Sequence, residues 1–452
     1  MRFVKILGLG LAAGLLVLLG GLSLIGISPS YIASAPAVAT GIGAKLLCSA
    51  RYVSGFSRAQ AFDDLVQYSG ILDQLSVEYD EEAKRVSARF FGVAEKSSTF
   101  IPGVGCAIDY ADYTVRESLA EEVLPSIADN SPWPLGDTVA TIKTDVQREV
   151  DAVLAQDNER GLNTRALLVV QGGKILGEAY AQGANAQTPL LGWSMAKSLT
   201  AVMLANLEYR DQLDLSQPAG FADWQKDERK AIAVTDLLTM TDGLDFSEQY
   251  NPGDDATAML FDSPSAADYV LAKPAAHAPG GHYNYSSGTA NLLARIYEDT
   301  LGGPVAARSD YEKTIARALG FQNAVFETDA AGGFVGSSYL YASGRDWARL
   351  GQLMLNNGVI NGKRIFAEDW VARATTPNDS ENFRAYGYQW WLNDGDAQRA
   401  WPDLPADSYA AMGNRKQLVM VVPSADAVIV RLGWTAGQYP DSQNFARLLD
   451  AL

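Results

Sequence analysis

Histidine and cysteine are almost missing from this chain: 452 residues contain two of each. Both histidines, His277 and His282, sit in one Pro/Gly-rich stretch, "HAPGGHYNYSSG". They lack the spacing of a helical zinc pair, so no metal site is expected. Positive charge is also short: 36 Lys and Arg stand against 53 Asp and Glu, a formal net charge of −17. Such a chain lacks the basic face a phosphate binder needs, which excludes a nucleic-acid partner. It equally excludes docking of the body on anionic lipid. No internal repeat or low-complexity tract appears. Hydrophobic residues make up 48% and charged residues 20%, an ordinary globular composition. The length suits one large domain or two medium ones.

Charge is absent from Ile6 to Ala44, after Arg2 and Lys5. The apolar run Ile6 to Ile27 is long enough to span a bilayer core. Two cations before it predict a cytoplasmic N-terminus and an exported body. A signal-peptide apolar region is usually shorter, about 7–15 residues, and Pro36 spoils cleavage after Ala33-Ser34-Ala35. Ala37-Val38-Ala39 is the remaining cleavage candidate. The expectation is an uncleaved single-pass anchor over residues 1–30, in a bacterial inner membrane, with the body in the periplasm. In an oxidising compartment the two cysteines, Cys48 and Cys106, are expected to form one disulfide.

Residues 28–44 read as a small uncharged spacer. Residues 31–136 form an exported segment with a short helical stretch and strand-like runs "LSVEYD" and "RVSARFFGVAE". "SPWPLGD" (131–137) marks the boundary to a main domain, 137–452. That domain opens with a helix, "TIKTDVQREVDAVLAQ", and two strands around a Gly-Gly turn, "ALLVVQGGKILGEAY". A helical middle follows to about residue 360. Strands "QLVMVVP" and "AVIVRLGW" and a last helix, "SQNFARLLDAL", close the chain. This order predicts an α+β fold with one antiparallel sheet built from both ends of the domain.

In "GWSMAKSLTAVMLANLEYRDQLDL" (192–215), Ser194 lies three positions before Lys197. A serine at a helix start is most often an N-cap. Here positions i and i+3 share a helix face, so the ammonium can reach the hydroxyl. A lysine buried there loses its proton easily and can serve as a base. The same serine also sits near the Gly-x-Ser-x-Gly elbow of α/β-hydrolases, which would need His277 or His282. Further on, "PGGHYNYSSGTANLLARI" places Tyr285 and Ser287 just before an amphipathic helix.

Together these blocks resemble the class C β-lactamase-like serine hydrolases over roughly residues 140–452. That superfamily includes penicillin-binding carboxypeptidases, esterases and nylon-oligomer (aminohexanoate-dimer) hydrolases. The wording is closest to the last branch, in "LLTMTDGLDFSEQY", "VGSSYLYASGRDWARLGQLMLNNG", "YGYQWW" and "GNRKQLVMVVPSADAVIVRLGW". "LLCSARYVSG" and "IPGVGCAIDY" look like a segment carried by its exported members. The resemblance implies a sheet flanked by helices, with a helical subdomain, and no cofactor. It implies that Ser194 is acylated, Lys197 handles its proton, and Tyr285 protonates the leaving group. The amides of Ser194 and Gln417 would form the oxyanion hole. Tyr250 would line the pocket, and Trp193, Trp390 and Trp391 are core aromatics that can wall an acyl site.

Two departures stand out. Ser287 replaces the family's motif asparagine, and Asn414-Arg415-Lys416 replaces Lys-Thr-Gly or His-x-Gly. Both argue against β-lactam turnover, although Arg415 or Lys416 offers a cation for a substrate carboxylate. The expected function is hydrolysis of a small amide or ester through an acyl-enzyme on Ser194. The alternatives are a Ser-His esterase and a catalytically silent cell-wall or peptide-binding module.

Overall fold

A computed structural model describes residues 29–124, 131–139, 142–395 and 399–452. The expected membrane run, Ile6 to Ile27, lies outside these residues. The spacer reading of residues 28–44 is corrected: Pro29–Tyr52 is one helix, α1. Its small residues explain both the misreading and the helix. Gly41 and Gly43 leave room for close packing, because a Cβ on Gly41 would meet the Phe261 carbonyl and one on Gly43 the Leu75 and Ala88 side chains. Isolated, such a stretch gives no amphipathic signal; buried on both sides, it needs none. By length and composition, Tyr31–Tyr52 is apolar enough for a signal sequence or a membrane anchor, and 61% of its apolar window is buried in the protein.

After α1 come α2 (Arg58–Val66) and four strands, β1 (Leu75–Asp80), β2 (Arg85–Phe90), β3 (Ala94–Ile101) and β4 (Gly105–Ile108). These strands form an antiparallel sheet in chain order, against which α1 packs. Cys48 of α1 and Cys106 of β4 are joined by a disulfide, Cα–Cα 6.1 Å, 58 residues apart in sequence. Closing a loop of that length contributes about 4 kcal/mol in the chain-entropy model.

The main body then runs through α3 (Thr144–Glu159), β5 (Thr164–Gln171), β6 (Lys174–Tyr180), α4 (Ala196–Tyr209), α5 (Ser287–Leu301) and α6 (Gly344–Leu355). It closes with β7 (Trp391–Leu392), β8 (Tyr409–Gly413), β9 (Gln417–Val422), β10 (Ala427–Gly433) and α7 (Asp441–Asp450). The sheet order is β7-β8-β9-β10-β5-β6, antiparallel at every pairing. Strands from both ends of the body therefore meet in one sheet, β10 beside β5. Gly172 and Gly173 turn the β5–β6 hairpin with φ of 57° and 69°, values that suit glycine and match a type I′ turn.

Strands β5, β9 and β10 are buried along nearly their whole length. Both faces are covered: α6 packs on one, α3 and α7 on the other. This explains the continuous "LLVV" and "LVMVV" runs, since a strand covered on both faces loses its polar alternation.

The N-terminal layer is tied to the body by a buried ion pair between Lys45 of α1 and Glu327. Glu327 also accepts from the Cys106 amide (2.7 Å) and the Ser49 hydroxyl (2.9 Å). Lys45 lies over the Tyr339 ring at 4.0 Å. Burial outweighs the Glu327 charge and draws the Lys45 ammonium below its usual range. Removing one partner of a buried pair strands the other charge, at a cost of about 3–5 kcal/mol. Glu327→Gln is therefore expected to lower unfolding stability by about 3 kcal/mol, read from urea denaturation with the disulfide intact. An unchanged midpoint would show that the pair does not clamp the layer to the body.

Candidate active site

Ser194 is not the cap of its helix. It sits in a 3-10 turn, Trp193–Met195, and α4 begins after it with Met195 in the capping position and no side-chain cap. The Ser194 hydroxyl instead accepts a hydrogen bond from Lys197 Nζ at 2.9 Å. Lys197 is 1% exposed and its other two donors go to Ser287 Oγ and the Ser337 carbonyl, both at 3.1 Å. One turn of helix thus separates nucleophile candidate and amine, as the i, i+3 spacing requires.

Helix α5 brings up the second pair. Its cap is Ser286, whose hydroxyl accepts from the Thr289 amide, so Ser287 is free to point at Lys197. Tyr285, one residue before the cap, presents its ring to Lys197 Nζ at 4.9 Å. Trp391 and Tyr386 hold that ring at 5.2 and 5.8 Å. Trp391 is thus a support for Tyr285, whereas Trp390 is core, with no exposed surface.

Glu248 was not singled out from the sequence, and it organises the site. Its carboxylate accepts from the Ser287 amide and hydroxyl, both at 2.6 Å, and from the Tyr250 hydroxyl at 2.9 Å. A chain of contacts runs from Lys197 through Ser287 to Glu248 and Tyr250. Ser287 keeps the lysine contact expected of the motif asparagine and donates its own hydroxyl hydrogen bond to Glu248. The only sequence signal for this role was position, two residues before Tyr250 in "DFSEQY".

Burial draws the Lys197 ammonium down to about 8, with the Glu248 charge opposing. Tyr285 moves the other way: burial, then Glu248, hold its hydroxyl well above the usual phenol range, while a hydrogen bond to Ser194 pulls it back. At neutral pH the tyrosine keeps its proton, and the lysine can exchange its own.

Gln417 begins β9, opposite Gly413 on β8. Gly413 lies directly against the Gly192 carbonyl, where a Cβ would come to 2.0 Å. That close approach sets the Gln417 end of β9 beside the Ser194 turn. Between these two residues Arg415 and Lys416 both have left-handed backbone, φ 59° and 64°. Arg431, buried in β10, donates to the carbonyls of Arg415 (3.1 Å) and Lys416 (2.9 Å) and pins the turn. Arg415 is buried. Its guanidinium stacks on Tyr68 at 4.1 Å and reaches Trp434 at 5.9 Å.

The histidines stand apart from this cluster. Their rings stack on each other at 4.0 Å, and His282 Nδ1 lies 3.5 Å from Glu381. Among the described residues neither is hydrogen-bonded to Ser194, and the antiparallel sheet is not that of an α/β-hydrolase. The Ser-His reading is overturned.

The Beta-lactamase family profile matches residues 146–451. The chain belongs to the Beta-lactamase family. It is 25% identical over 286 residues to the 6-aminohexanoate-dimer hydrolase of Paenarthrobacter ureafaciens, covering 60% of this chain and 72% of that protein. A solved structure from Bacillus anthracis, provisionally named for the same hydrolase, superposes with a TM-score of 0.57 at 21% identity, over 75% of this chain and 91% of that one. A D-alanine carboxypeptidase from Burkholderia cenocepacia gives 0.52 at 18% identity, over 68% and 99%. At these identities the two structures speak for the fold. This is a β-lactamase-family hydrolase whose site strand carries two strained residues.

A non-glycine residue in the left-handed region costs roughly 1–2 kcal/mol. Lys416→Gly should relieve that strain and raise stability by about 1 kcal/mol net of glycine's extra unfolded freedom. Lys363→Gly, in an extended strand, should lower it. Thermal unfolding of the two variants beside wild type makes the comparison. Loss of stability in Lys416→Gly would mean that the lysine side chain itself holds the turn.

Proposed function

We propose that this β-lactamase-family hydrolase is a serine hydrolase that cleaves a small amide or ester through an acyl-enzyme on Ser194. One observation carries the reading: the buried Lys197 amine lies 2.9 Å from the Ser194 hydroxyl. In its neutral form Lys197 accepts the Ser194 proton as Oγ attacks the substrate carbonyl. The oxyanion forms against the amides of Ser194 and Gln417; one such donor is worth about 3–4 kcal/mol of transition-state stabilisation. Tyr285, which keeps its proton at neutral pH, gives it to the departing amine or alcohol. Water then completes the cycle with Tyr285 and Lys197 handling the protons in reverse.

Glu248 acts through others. It fixes the hydroxyl of Ser287 that Lys197 touches, and its charge favours the protonated lysine. The named substrate of the Paenarthrobacter relative, a 6-aminohexanoate dimer, is a linear amide and falls within the proposed class. The body is proposed to lie in the bacterial periplasm, anchored to the inner membrane. Arg2 and Lys5 ahead of an apolar run and the Cys48–Cys106 disulfide support that placement.

β-Lactam turnover is not proposed. Ser287 spends its hydroxyl on Glu248, and Arg415 spends its charge on Tyr68. Losing one placed hydrogen bond to a charged substrate group costs about 1.5–3 kcal/mol. A short p-nitrophenyl ester should therefore be turned over at higher kcat/KM than nitrocefin. A fluorophosphonate should label Ser194, and Ser194→Ala should lose at least about a thousandfold in rate. Labelling elsewhere, or none in folded protein, would overturn the assignment and favour a silent binding module.

The pH dependence has a definite sign. Below about 8 Lys197 holds its proton and cannot accept another, so kcat/KM should rise with pH through that value. Glu248→Gln removes a charge that raises the Lys197 pKa, so the rising limb should move to lower pH. A limb that stays in place or moves up would show that Glu248 does not act on Lys197.

A further inference from the structure

The family profile starts at residue 146, yet one wall of a cavity that Trp193 lines comes from far upstream. A cavity of ≈ 250 Å³ opens between α1, the turn after α2 and the hydrolase body. Ala35, Val38 and Ile42 of α1 line it, with Ile71 from the turn after α2. From the body come Trp193, the residue before Ser194, and Tyr250, whose hydroxyl is bonded to Glu248. Among the described residues no charged side chain lines it. Ile71 and Tyr250 remain 44% and 49% exposed at its rim.

We infer that this cavity receives an uncharged apolar chain of the substrate, an alkyl or aryl group attached to the scissile amide or ester. The inference rests on the serine-hydrolase reading above and names the substrate class within it. Three features support it. Two of its lining residues adjoin the site: Trp193 is the chain neighbour of Ser194, and the Tyr250 hydroxyl is bonded to Glu248. Its lining is mostly apolar and its polar side chains, Ser69, Asn251, Thr257 and Asn414 among them, are uncharged, so the ammonium or carboxylate end of a linear amino-acid dimer would lose its hydration there without an opposite charge. Its size is adequate, since an apolar cavity of about 150 Å³ already holds benzene. The N-terminal segment is thereby a specificity element, since the wall that selects the chain lies on α1.

The test uses the full chain and two ester series, p-nitrophenyl acyl esters from acetate to octanoate and acetate esters of n-alkanols. In one series kcat/KM should climb roughly two- to fourfold per methylene up to medium length, the upper value following from about 0.8 kcal/mol per buried CH₂. An ester of 6-aminohexanoate should lose this gain. Ala35→Phe, which fills the cavity from α1, should flatten the climb, read as the octanoate-to-acetate ratio on one preparation. A catalysis-independent arm measures binding of N-octylacetamide to Ser194→Ala protein by tryptophan fluorescence, with and without Ala35→Phe. Flat series in wild type, or a ratio and binding indifferent to Ala35→Phe, would overturn the inference. Saturable binding that Ala35→Phe weakens, in a protein that hydrolyses no ester, would uphold the cavity and sink the hydrolase reading instead. If Ala35→Phe fails to fold, Ile71→Ala at the exposed rim takes its place and should lower the same ratio.

Discussion

The site depends on a single buried amine. Lys197 is sealed from solvent, and each of its three donors meets one oxygen: Ser194 Oγ, Ser287 Oγ and the Ser337 carbonyl. Each oxygen comes from a different part of the chain, so the amine fixes the approach of α4, α5 and the segment before residue 340. None of those oxygens is a carboxylate. A carboxylate in direct contact would hold the proton on the amine; the nearest one, Glu248, acts from behind Ser287. The desolvation that depresses the Lys197 pKa therefore survives, and the amine can exchange a proton near neutral pH.

The same logic separates the two groups proposed to handle protons. Burial disfavours charge on both, which lowers an amine and raises a phenol. Lys197 and Tyr285 lie together in one buried enclosure, the Tyr285 ring 4.9 Å from Nζ and packed in turn against Tyr386 and Trp391. The enclosure thus pushes them toward the two uncharged forms, one able to take a proton and the other able to give one. The proposed mechanism calls on no histidine, and the two in the chain pack against each other.

The sequence showed this site unevenly, and the reasons are physical. Ser194 and Lys197 were legible because a helix converts a three-residue spacing into a contact. Tyr285 and Ser287 were legible because they precede an amphipathic helix, whose start fixes where they point. Strands β5, β9 and β10 were legible as unbroken apolar runs between turns. Glu248 was not, because its role depends on a loop meeting α5 some forty residues later, and loops carry no periodicity. The packing of Arg415 was hidden for a similar reason: charge at a strand end suggests solvent or substrate, and only the fold reveals Tyr68 beneath it. Helix α1 was missed because its glycines and alanines look like a linker until a second surface is placed against them.

Arg415 and Lys45 together show how closely the N-terminal segment is bound into the chemistry. Arg415 belongs to the turn between β8 and the Gln417 end of β9, and it rests on Tyr68, which follows α2. Lys45 belongs to α1 and pairs with Glu327, while its ammonium lies over Tyr339, two residues beyond the Ser337 carbonyl that holds Lys197. Trp193 completes the connection, its ring 6.0 Å from Tyr68 and 6.2 Å from Tyr339. The segment upstream of the family match therefore touches both sides of the Ser194 turn. A shift of α1 would be felt at the strained Arg415–Lys416 turn and at the lysine cradle together, because close-packed aromatic contacts transmit displacement instead of absorbing it. The left-handed pair is stable under these conditions: Arg431 holds its carbonyls from within the sheet, and Tyr68 holds its side chain from the segment outside.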